Sequence, residues 1–483
     1  MNIDAKVEEI FAPISERLAE IVFYSVSLGE GIDVKLILVW LVLAALFFTF
    51  YFGFINVRGF KHALDLVFGK NPNGESDGNK DGQINRFQAL MTSLSGTVGL
   101  GNIAGVAVAV SAGGPGAAFW MFVMGFFSMS TKFAEVALGV KYRRHTDPEH
   151  PDKISGGPMY YLRDGLAGKR MPLLGKILAG IFACAVFLGV LGGGSLFQTN
   201  QVYKQLLNVT GGDASFFADK GWLVGLLMVF AVGLVIIGGI KSIAATASRI
   251  VPLMALIYLV AGFVVIAIHY AQIPMAMLSI FESALSLKAG FGAALGALLM
   301  GVQRAAFSNE AGLGTAAIAH ASAKTDEPVS QGIVGMLGPF IDTMVICMLT
   351  ALVIIISGTH LDGNGIEGVE LTSRAFASGL SWFPYVLFLV VFMFAYSSLI
   401  SWFYYGVKGF TYLFGSSDVT ENVYKLIFSV FIVIGASANL SSVILITDSL
   451  VFIMAIPNII ALYILAPELK QDLKAYIQKI KAA

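Results

Sequence analysis

Two ten-residue segments combine glycine with serine, threonine and asparagine in otherwise apolar surroundings. SGTVGLGNIA at 95–104 and SNEAGLGTAA at 308–317 are identical at five of ten positions without gaps. Glycines weaken a helix and free backbone N–H and C=O groups, which need partners away from water. Freed carbonyls suit a hard cation such as sodium, and N–H groups at half-helix ends suit a carboxylate. The two segments therefore predict a site for a cation and a zwitterion such as an amino acid.

The same residue types allow two other interpretations. Small residues also let helices pack closely, but two similar, symmetrically placed copies favour a binding site over packing alone. Gly99 to Ala104 also fits the G-x-G-x-x-A dinucleotide pattern, which requires a preceding strand that this apolar stretch does not predict. The chain has no G-x-x-x-x-G-K-[ST] loop, so the sequence indicates coupling to an ion gradient rather than to ATP.

Five charged residues lie inside apolar stretches, where a charge is costly unless it is functional or paired. Lys132 and Glu135 are three residues apart near a predicted helix end, so we expect a mutual pair that snorkels to the interface and has no transport role. Glu310 falls in the second segment, where it could neutralise an ammonium group or accept a proton, although a structural pair with Arg304 is favoured. Asp342 could ligate a cation or orient the second segment.

Membrane helices must position these side chains. Of the 483 residues, 57% are hydrophobic and 13% are charged, which is unlike soluble domains. A crossing helix needs about 20 mostly apolar residues, and eleven stretches qualify: 34–55, 87–111, 117–140, 176–203, 222–240, 247–270, 293–320, 331–357, 383–410, 422–440 and 443–466. The stretches 70–85 and 141–172 are predicted as loops. The sequence thus predicts an all-α integral membrane protein with a single domain over 1–483.

The orientation follows from Lys and Arg, which collect in cytoplasmic loops. Most of the 31 fall on one side when the predicted loops alternate across the membrane. The N-terminus is therefore predicted outside and the tail 467–483 cytoplasmic. The acidic N-terminal start shows no small-residue cleavage site, which argues against a removed signal peptide. A net charge of zero gives no indication of a nucleic-acid partner. The apolar stretches predict that the chain is surrounded by the lipid bilayer.

The order of the stretches predicts an internal repeat. Five spans separate the starts of the two glycine-rich helices, so these helices cross the membrane in opposite directions. Inverted repeats of this kind are typical of secondary transporters, whose sites lie at interrupted helices near the bilayer midplane. The first repeat is predicted over 87–270, the second over 293–466, and 34–55 is one extra N-terminal helix.

Four long strings resemble the alanine/glycine:cation symporter family. They are FQALMTSLSGTVGLGNIAGVAVAV (87–110), AGGPGAAFWM (112–121), SGGPMYYL (155–162) and AAFSNEAGLGTAAIAHA (305–321). The resemblance covers most of the chain and implies a LeuT-type fold of five plus five inverted helices. It also implies sodium-coupled uptake of alanine or glycine across a prokaryotic cytoplasmic membrane. Sodium would be the coupling ion, and no other cofactor is implied.

The resemblance extends to the ion site of this fold. That site combines carbonyls of the first core helix with hydroxyls of the eighth. Here it implies the carbonyls of Ser95 and Val98, the carbonyl of Phe394, and the hydroxyls of Ser397 and Ser398. The adjacent serines could instead bond back to carbonyls of their own helix.

The first break also looks like the substrate-lining break of neurotransmitter:sodium symporters, and this likeness carries a substrate role to Thr97, Gly99, Gly101 and Asn102. The sequence departs from those relatives at Gly105, where they carry an arginine of the outer gate. Their gate mechanism is therefore not assumed.

In the second break, Phe307 would close one side of the pocket while Ser308 and Asn309 line it. Gln198, which follows a run of three glycines, is a candidate polar contact, and Trp402 is a candidate lid. Ordinary packing is an equal interpretation for these last two residues.

Three other functions remain as alternatives. A proton-coupled amino-acid carrier of the same fold would need a titrating group such as Glu310 or Asp342. A channel would also use broken helices. An enzyme is disfavoured, because no span combines a nucleophile with a base, paired carboxylates or a metal cluster. Cys184 and Cys347 lack metal-ligand or redox spacing and are expected to be small core residues.

Overall fold

α-Helices make up most of the chain. The computed structural model describes residues 13, 16–27, 33–69, 81–145, 154–285, 291–361, 368–438 and 440–482. The helices are α1 Leu36–Tyr51, α2 Ile55–Arg58, α3 Phe60–Val67, α4 Arg86–Thr97, α5 Gly101–Gly113, α6 Gly116–Lys141, α7 158–168, α8 Pro172–Thr210, α9 Gly221–Ile236, α10 Gly239–Ile268, α11 Ile273–Leu285, α12 Phe291–Asn309, α13 Thr315–His320, α14 Pro328–Ser357, α15 Val369–Ala377, α16 Phe383–Phe414, α17 Asp418–Ser437, α18 Leu440–Ile453 and α19 Ala455–Ala482. Residues 16–22 are also helical.

Short strands occur in two antiparallel hairpins. β1 Ser25–Ser27 pairs with β2 Asp33–Lys35, and β3 Arg144–His145 pairs with β4 Ile154–Ser155. The second hairpin belongs to the predicted loop 141–172. Of the predicted loop 70–85, residues 70–80 lie outside the described part of the chain.

In the part of the chain that the structure describes, seven helices are long and apolar enough to cross a membrane, namely α6, α8, α10, α14, α16, α17 and the stretch Val443–Ala482. The pair α4 and α5 qualifies as an eighth span with a 51° bend. α1 and α9 are apolar but shorter. The all-α membrane architecture is thus confirmed, and each of the eleven predicted stretches coincides with a helix or helix pair, while the number of crossings stays a prediction.

The outer surface of the bundle is apolar, as lipid contact requires. Leu227 and Phe230 of α9 and Phe263 of α10 expose 59%, 69% and 60% of their surface. Cys184 is also exposed, so its expected place in the core was wrong. It shares the lipid-facing side of α8 with the exposed Ile181, three residues earlier.

The predicted end of the last span at residue 466 is not a helix end. α19 passes through Pro467 and continues to Ala482. It continues because Leu469, Leu473 and Tyr476 remain buried on one face. The segment predicted as a cytoplasmic tail is therefore a packed helix.

Both glycine-rich segments interrupt their helices, as predicted. α4 ends at Thr97 and the chain re-enters a helix at Gly101 through a π turn. α12 ends at Asn309, after which Glu310, Gly312 and Gly314 have φ of 55°, 94° and 83°. Left-handed backbone of this kind costs little for glycine and is uncommon for glutamate. The second break is therefore held by its surroundings.

The two broken helices pack against different partners. α4 packs against α10 and α16, whereas α12 and α13 pack against α6. α4 and α13 also contact each other, and the two breaks lie next to each other, since a Cβ at Gly101 would lie 3.4 Å from the Phe307 ring. The breaks and the adjoining side chains define the candidate site.

One arginine joins three segments at the end of the molecule where α4 begins. Arg143 donates from Nη1 to the carbonyls of Ala321 at 3.1 Å and Ala323 at 2.7 Å. From Nη2 it donates to the carbonyls of Asp81 and Thr325, both at 2.8 Å. We call this cluster the Arg143 junction. It fixes the entry to α4 against the exit from α13.

Candidate functional site

The first break contacts α16 through a group of serine oxygens. The Ser398 hydroxyl donates to the Ser95 carbonyl at 3.0 Å, and the Ser95 hydroxyl donates to the Ser397 carbonyl at 2.5 Å. The Ser397 hydroxyl bonds back to the Phe394 carbonyl at 3.0 Å. Val98 lies fully buried in the break itself. The structure therefore brings the five predicted ion ligands to one region, and Ser397 also makes the in-helix bond weighed above.

The middle of the first break is crowded by polar side chains. The Gln198 Oε1 atom accepts from the Leu100 N–H at 3.1 Å, and the Asn102 Oδ1 atom accepts from the Gly99 N–H at 2.9 Å. A Cβ at Gly99 would collide with the Ser398 hydroxyl and lie 3.2 Å from Gln198 Oε1. Any side chain there would have to displace the Ser398 hydroxyl, and glycine leaves the backbone beside both the serine group and Gln198.

Trp402 and Thr97 have defined hydrogen bonds. The Trp402 indole N–H donates to the Gly96 carbonyl at 2.9 Å, and its ring packs on Gly193 and Gly194. The Thr97 hydroxyl bonds back to the Ser93 carbonyl at 3.3 Å within its own helix. Trp402 therefore holds the end of α4 against α8.

A second polar group surrounds the carboxylate of Asp342. It accepts from Asn102 Nδ2 at 2.5 Å, from the Ser308 hydroxyl at 2.8 Å and from the Thr343 hydroxyl at 2.7 Å. Asn309 Nδ2 donates to the Thr343 hydroxyl at 3.0 Å. All five side chains are buried. This carboxylate links the first break to the second, because Asn102 and Ser308 both bond to it.

Phe307 forms an apolar wall between these groups. Its ring meets the ring of Phe197 edge to face at 5.5 Å, and a Cβ at Gly101 would lie 3.4 Å from it. The Arg304 guanidinium lies 5.3 Å from the Phe307 ring centre. Arg304 itself pairs with the buried carboxylate of Asp448. The wall thus carries an ion pair on one side.

The expected pair between Glu310 and Arg304 was wrong. Arg304 bonds to Asp448 on α18, and the Glu310 carboxylate accepts from the Thr315 hydroxyl. Arg304 lies in α12, which ends at Asn309, and six residues of helix turn about 240° around the axis, so this spacing puts the two side chains on different faces.

The pair of Lys132 and Glu135 forms as expected, with Nζ and Oε2 3.6 Å apart, but it does not snorkel. Both side chains are at most 2% exposed. Nine residues of helix separate Lys132 from the end of α6 at Lys141, a distance of about 13 Å along the axis. That is too far for the ammonium to reach the interface.

Glu135 instead holds the second break. Its Oε1 accepts from the backbone N–H groups of Gly312 at 2.7 Å and Gly314 at 2.9 Å, and from Asn458 Nδ2 at 2.7 Å. Asn458 Nδ2 also donates to the Gly312 carbonyl at 2.7 Å. The charge of Glu135 thus satisfies backbone groups that the break leaves without helical partners.

Sequence reasoning missed two contributors. The Thr372 hydroxyl of α15 donates to the Ile103 carbonyl at 3.1 Å, which satisfies a backbone group of the first break. The Cys347 sulfur lies 3.3 Å from Asn102 Nδ2 and 3.2 Å from the Ser308 hydroxyl. Neither residue stands in a motif, and only the fold brings them to the breaks.

The site is closed in this conformation. The side chains of Thr97, Gln198, Phe307 and Trp402 expose no more than 6% of their surface, and that of Asn309 exposes none. A ligand held between the breaks would therefore be shielded from water, where electrostatic contacts are stronger.

Comparison with known proteins places these features in context. The model of the sodium:alanine symporter family matches residues 22–483. The sodium/alanine symporter AgcS of Methanococcus maripaludis is 41% identical over 442 residues, which cover 91% of this chain and 93% of AgcS. GlnT of Bacillus subtilis, named a probable sodium/glutamine symporter, is 33% identical over 450 residues, covering 93% of this chain and 89% of GlnT. The crystal structure of MhsT with L-phenylalanine aligns with a TM-score of 0.53 at 17% identity, covering 80% of this chain and 89% of MhsT.

Proposed function

Because this chain belongs to the sodium:alanine symporter family, we propose that it carries a small neutral amino acid, alanine or glycine first, into the cell together with sodium. The observation that carries this proposal is the meeting of two broken helices around buried polar groups. A bound ion and a zwitterion are the partners that such exposed backbone groups need inside a membrane. Transport would proceed by alternating access to this one site.

The serine group is the proposed sodium site. Ser95 and Ser398 already share a hydrogen bond between a carbonyl and a hydroxyl, and both oxygens can turn a lone pair toward a cation. The carbonyls of Val98 and Phe394 and the hydroxyl of Ser397 would complete the ligands. Neutral oxygens suit sodium, a hard cation that must also be released.

The first break would hold the substrate. Gly99 and Gly101 leave backbone open to the ligand, and Thr97, Asn102 and Gln198 would line this side. The substrate carboxylate would accept hydrogen bonds from the backbone N–H groups freed by the break. One of these, the Leu100 N–H, now donates to Gln198 Oε1.

The second break would select for size. Phe307 is fixed by its edge contact, so substrate side chains larger than a methyl group or two would meet its ring. Ser308 and Asn309 would bind the ammonium together with freed carbonyls, while Trp402 closes the pocket. The buried pair of Arg304 with Asp448 would then have to separate for access from one side.

We also propose an outside N-terminus, a cytoplasmic C-terminus and a prokaryotic cytoplasmic membrane. The segments predicted to be cytoplasmic meet in space, which supports placing them on one side: the Arg143 junction joins three of them, and Lys479 pairs with Glu327 at 2.5 Å. Lys35, which precedes the first span and is therefore predicted outside, donates from Nζ to Gln303 Oε1 at 2.9 Å. The two inverted repeats remain part of the same proposal.

The test is uptake of radiolabelled alanine into proteoliposomes, with and without an inward sodium gradient, at constant pH and clamped potential. Sodium-driven accumulation that is lost in Asn309→Ala and in Ser398→Ala supports the proposal. The matched control is Ser429→Ala, whose hydroxyl donates to the Lys425 carbonyl of its own helix at 2.8 Å and to no other group among the described residues.

Two outcomes would contradict it. Equilibration of alanine without a gradient would indicate a channel or facilitator. Accumulation driven by a pH gradient alone would indicate proton coupling, with Glu310 and Asp342 as the residues to vary next.

A further inference from the structure

A groove with three cations lies between the end of α1 and the last helix α19. It has a volume of about 440 Å³, and the described residues that line it include Arg58, Lys470 and Lys474 and no carboxylate. Clefts of this size hold small ligands or headgroups. A groove with several positive charges and no negative one is complementary to an anion.

The structure holds the cations in place. The chain turns sharply after α1, since Gly53 and Phe54 have φ of 65° and 55°. Arg58 Nη1 donates to the Gly53 carbonyl at 3.2 Å, and Lys470 Nζ lies 4.0 Å from the Tyr51 ring centre. The guanidinium and one ammonium are thus fixed at the two sides of the groove, the second by a cation–π contact.

The arrangement is unfavourable without a ligand. Lys470 and Lys474 are four residues apart on one helix, a spacing at which like charges repel. Among the described residues, none of the three cations has a carboxylate within ion-pair distance. The neighbouring Asp472 is no remedy, because it pairs with Lys141 at 2.5 Å.

The groove also has an apolar wall next to lipid. Leu473 and Ile477 line it on the α19 side, and Phe50 lines it on the α1 side with 62% of its surface exposed. Phe54, just beyond, is 38% exposed. Tyr51, which also lines the groove at the end of α1, is of the amphipathic aromatic type that is enriched at the interface between hydrocarbon and headgroups. The proposed orientation puts this end on the cytoplasmic side, where anionic headgroups attract basic clusters.

We propose that this groove binds one anionic phospholipid of the inner leaflet. Its phosphate would lie between Arg58, Lys470 and Lys474, and an acyl chain would follow Phe50 toward the hydrocarbon. The ligand belongs to the lipid class rather than to soluble phosphates, because cations and an exposed apolar wall occur together. The site is separate from the transport site and rests on membrane embedding and orientation, not on the transported substrate.

The test is native mass spectrometry of the purified full-length protein titrated with phosphatidylglycerol or phosphatidylcholine. We expect the wild type to retain phosphatidylglycerol preferentially. Arg58→Gln with Lys474→Gln should weaken that retention by about fivefold for each cation removed. The matched control, Lys176→Gln with Lys204→Gln, removes the same charge from exposed positions of α8 and should retain the lipid like the wild type.

Three results would overturn the proposal. An equal loss in the control pair would show a general surface-charge effect. Equal retention of both lipids by the wild type would show that the cations do not select the headgroup. Displacement of the lipid by millimolar inorganic phosphate would assign the groove to a soluble anion. If the double variant is unstable in detergent, Lys474→Gln alone, at an exposed position, gives the same comparison.

Discussion

Glu135→Gln is the substitution whose effect follows most directly from the structure. The new amide keeps an oxygen for the Gly312 and Gly314 N–H groups but removes the charge that faces Lys132 Nζ at 3.6 Å. Breaking a fully buried ion pair by removing one partner costs about 3–5 kcal/mol. Lys132 also interacts electrostatically with Glu310, which still compensates part of its charge. We therefore expect a loss near the lower limit, about 3 kcal/mol.

The assay is the half-life of the folded protein in detergent at a fixed elevated temperature, followed by alanine uptake after reconstitution. Glu135→Gln should shorten the half-life strongly. Adding Lys132→Met should restore most of it, because it removes the buried ammonium that Glu135→Gln leaves without its carboxylate. The control is Arg374→Gln, which breaks an exposed pair with Glu370 at 3.3 Å and should cost at most about 1 kcal/mol.

Two results would refute this reasoning. If Glu135→Gln behaves like Arg374→Gln, the buried charge is not compensated by the pair. If Lys132→Met brings no recovery, the loss comes from weaker bonds to the second break and not from the isolated ammonium. Uptake separates these contributions further, since the double variant can be stable while its break is held less firmly.

Three further substitutions test the site. Gly99→Ala should reduce uptake by at least about tenfold, because a 1 Å displacement at a site can cost more than that. The control Gly105→Ala, with no atom within 4 Å of the added Cβ, should transport normally. Equal uptake by the two variants would contradict the close contact of Gly99 with Ser398. Asp342→Asn should lower stability by about 3 kcal/mol, since bonds to a charged group contribute about 1.5–3 kcal/mol each, and an unchanged unfolding temperature would show that the carboxylate is not charged in the protein. Arg304→Met should be destabilising by about 3–5 kcal/mol, because it leaves the buried Asp448 carboxylate without its cation, although Gln303 Nε2 still donates to it at 2.8 Å. Removing that carboxylate as well should restore stability, as measured by the same half-life.

The breaks could be predicted because local residue types encode them: glycine at 99 and 312 marks where a helix cannot continue normally, and this signal needs only nearby residues. The serine group was implied by the resemblance to a known fold, in which Ser398 occupies a recognisable position. The closure of the site could not be predicted, because it depends on how Phe197 and Trp402 pack from distant helices.

Partners far apart in the chain account for the errors. Asp448 is 144 residues from Arg304, and no spacing connects them. Glu310 was the nearest acidic residue in sequence, but a spacing of six residues on a helix puts its side chain on a different face from Arg304. Lys132 and Glu135 were paired correctly because three residues of helix fix their distance, while their depth depends on the helices that surround α6.

The two sides of the Arg143 junction differ in how sensitive they are to mutation. The four shortest hydrogen bonds of this arginine go to main-chain oxygens, at Asp81, Ala321, Ala323 and Thr325, and the Asp81 carboxylate lies farther away at 3.4 Å. A codon change at those positions alters a side chain but never deletes the acceptor. Only arginine carries five donors in a planar fork, so the donor side depends on a single codon. The acceptors of the junction depend on the path of the main chain, whereas its donors depend on the identity of one residue.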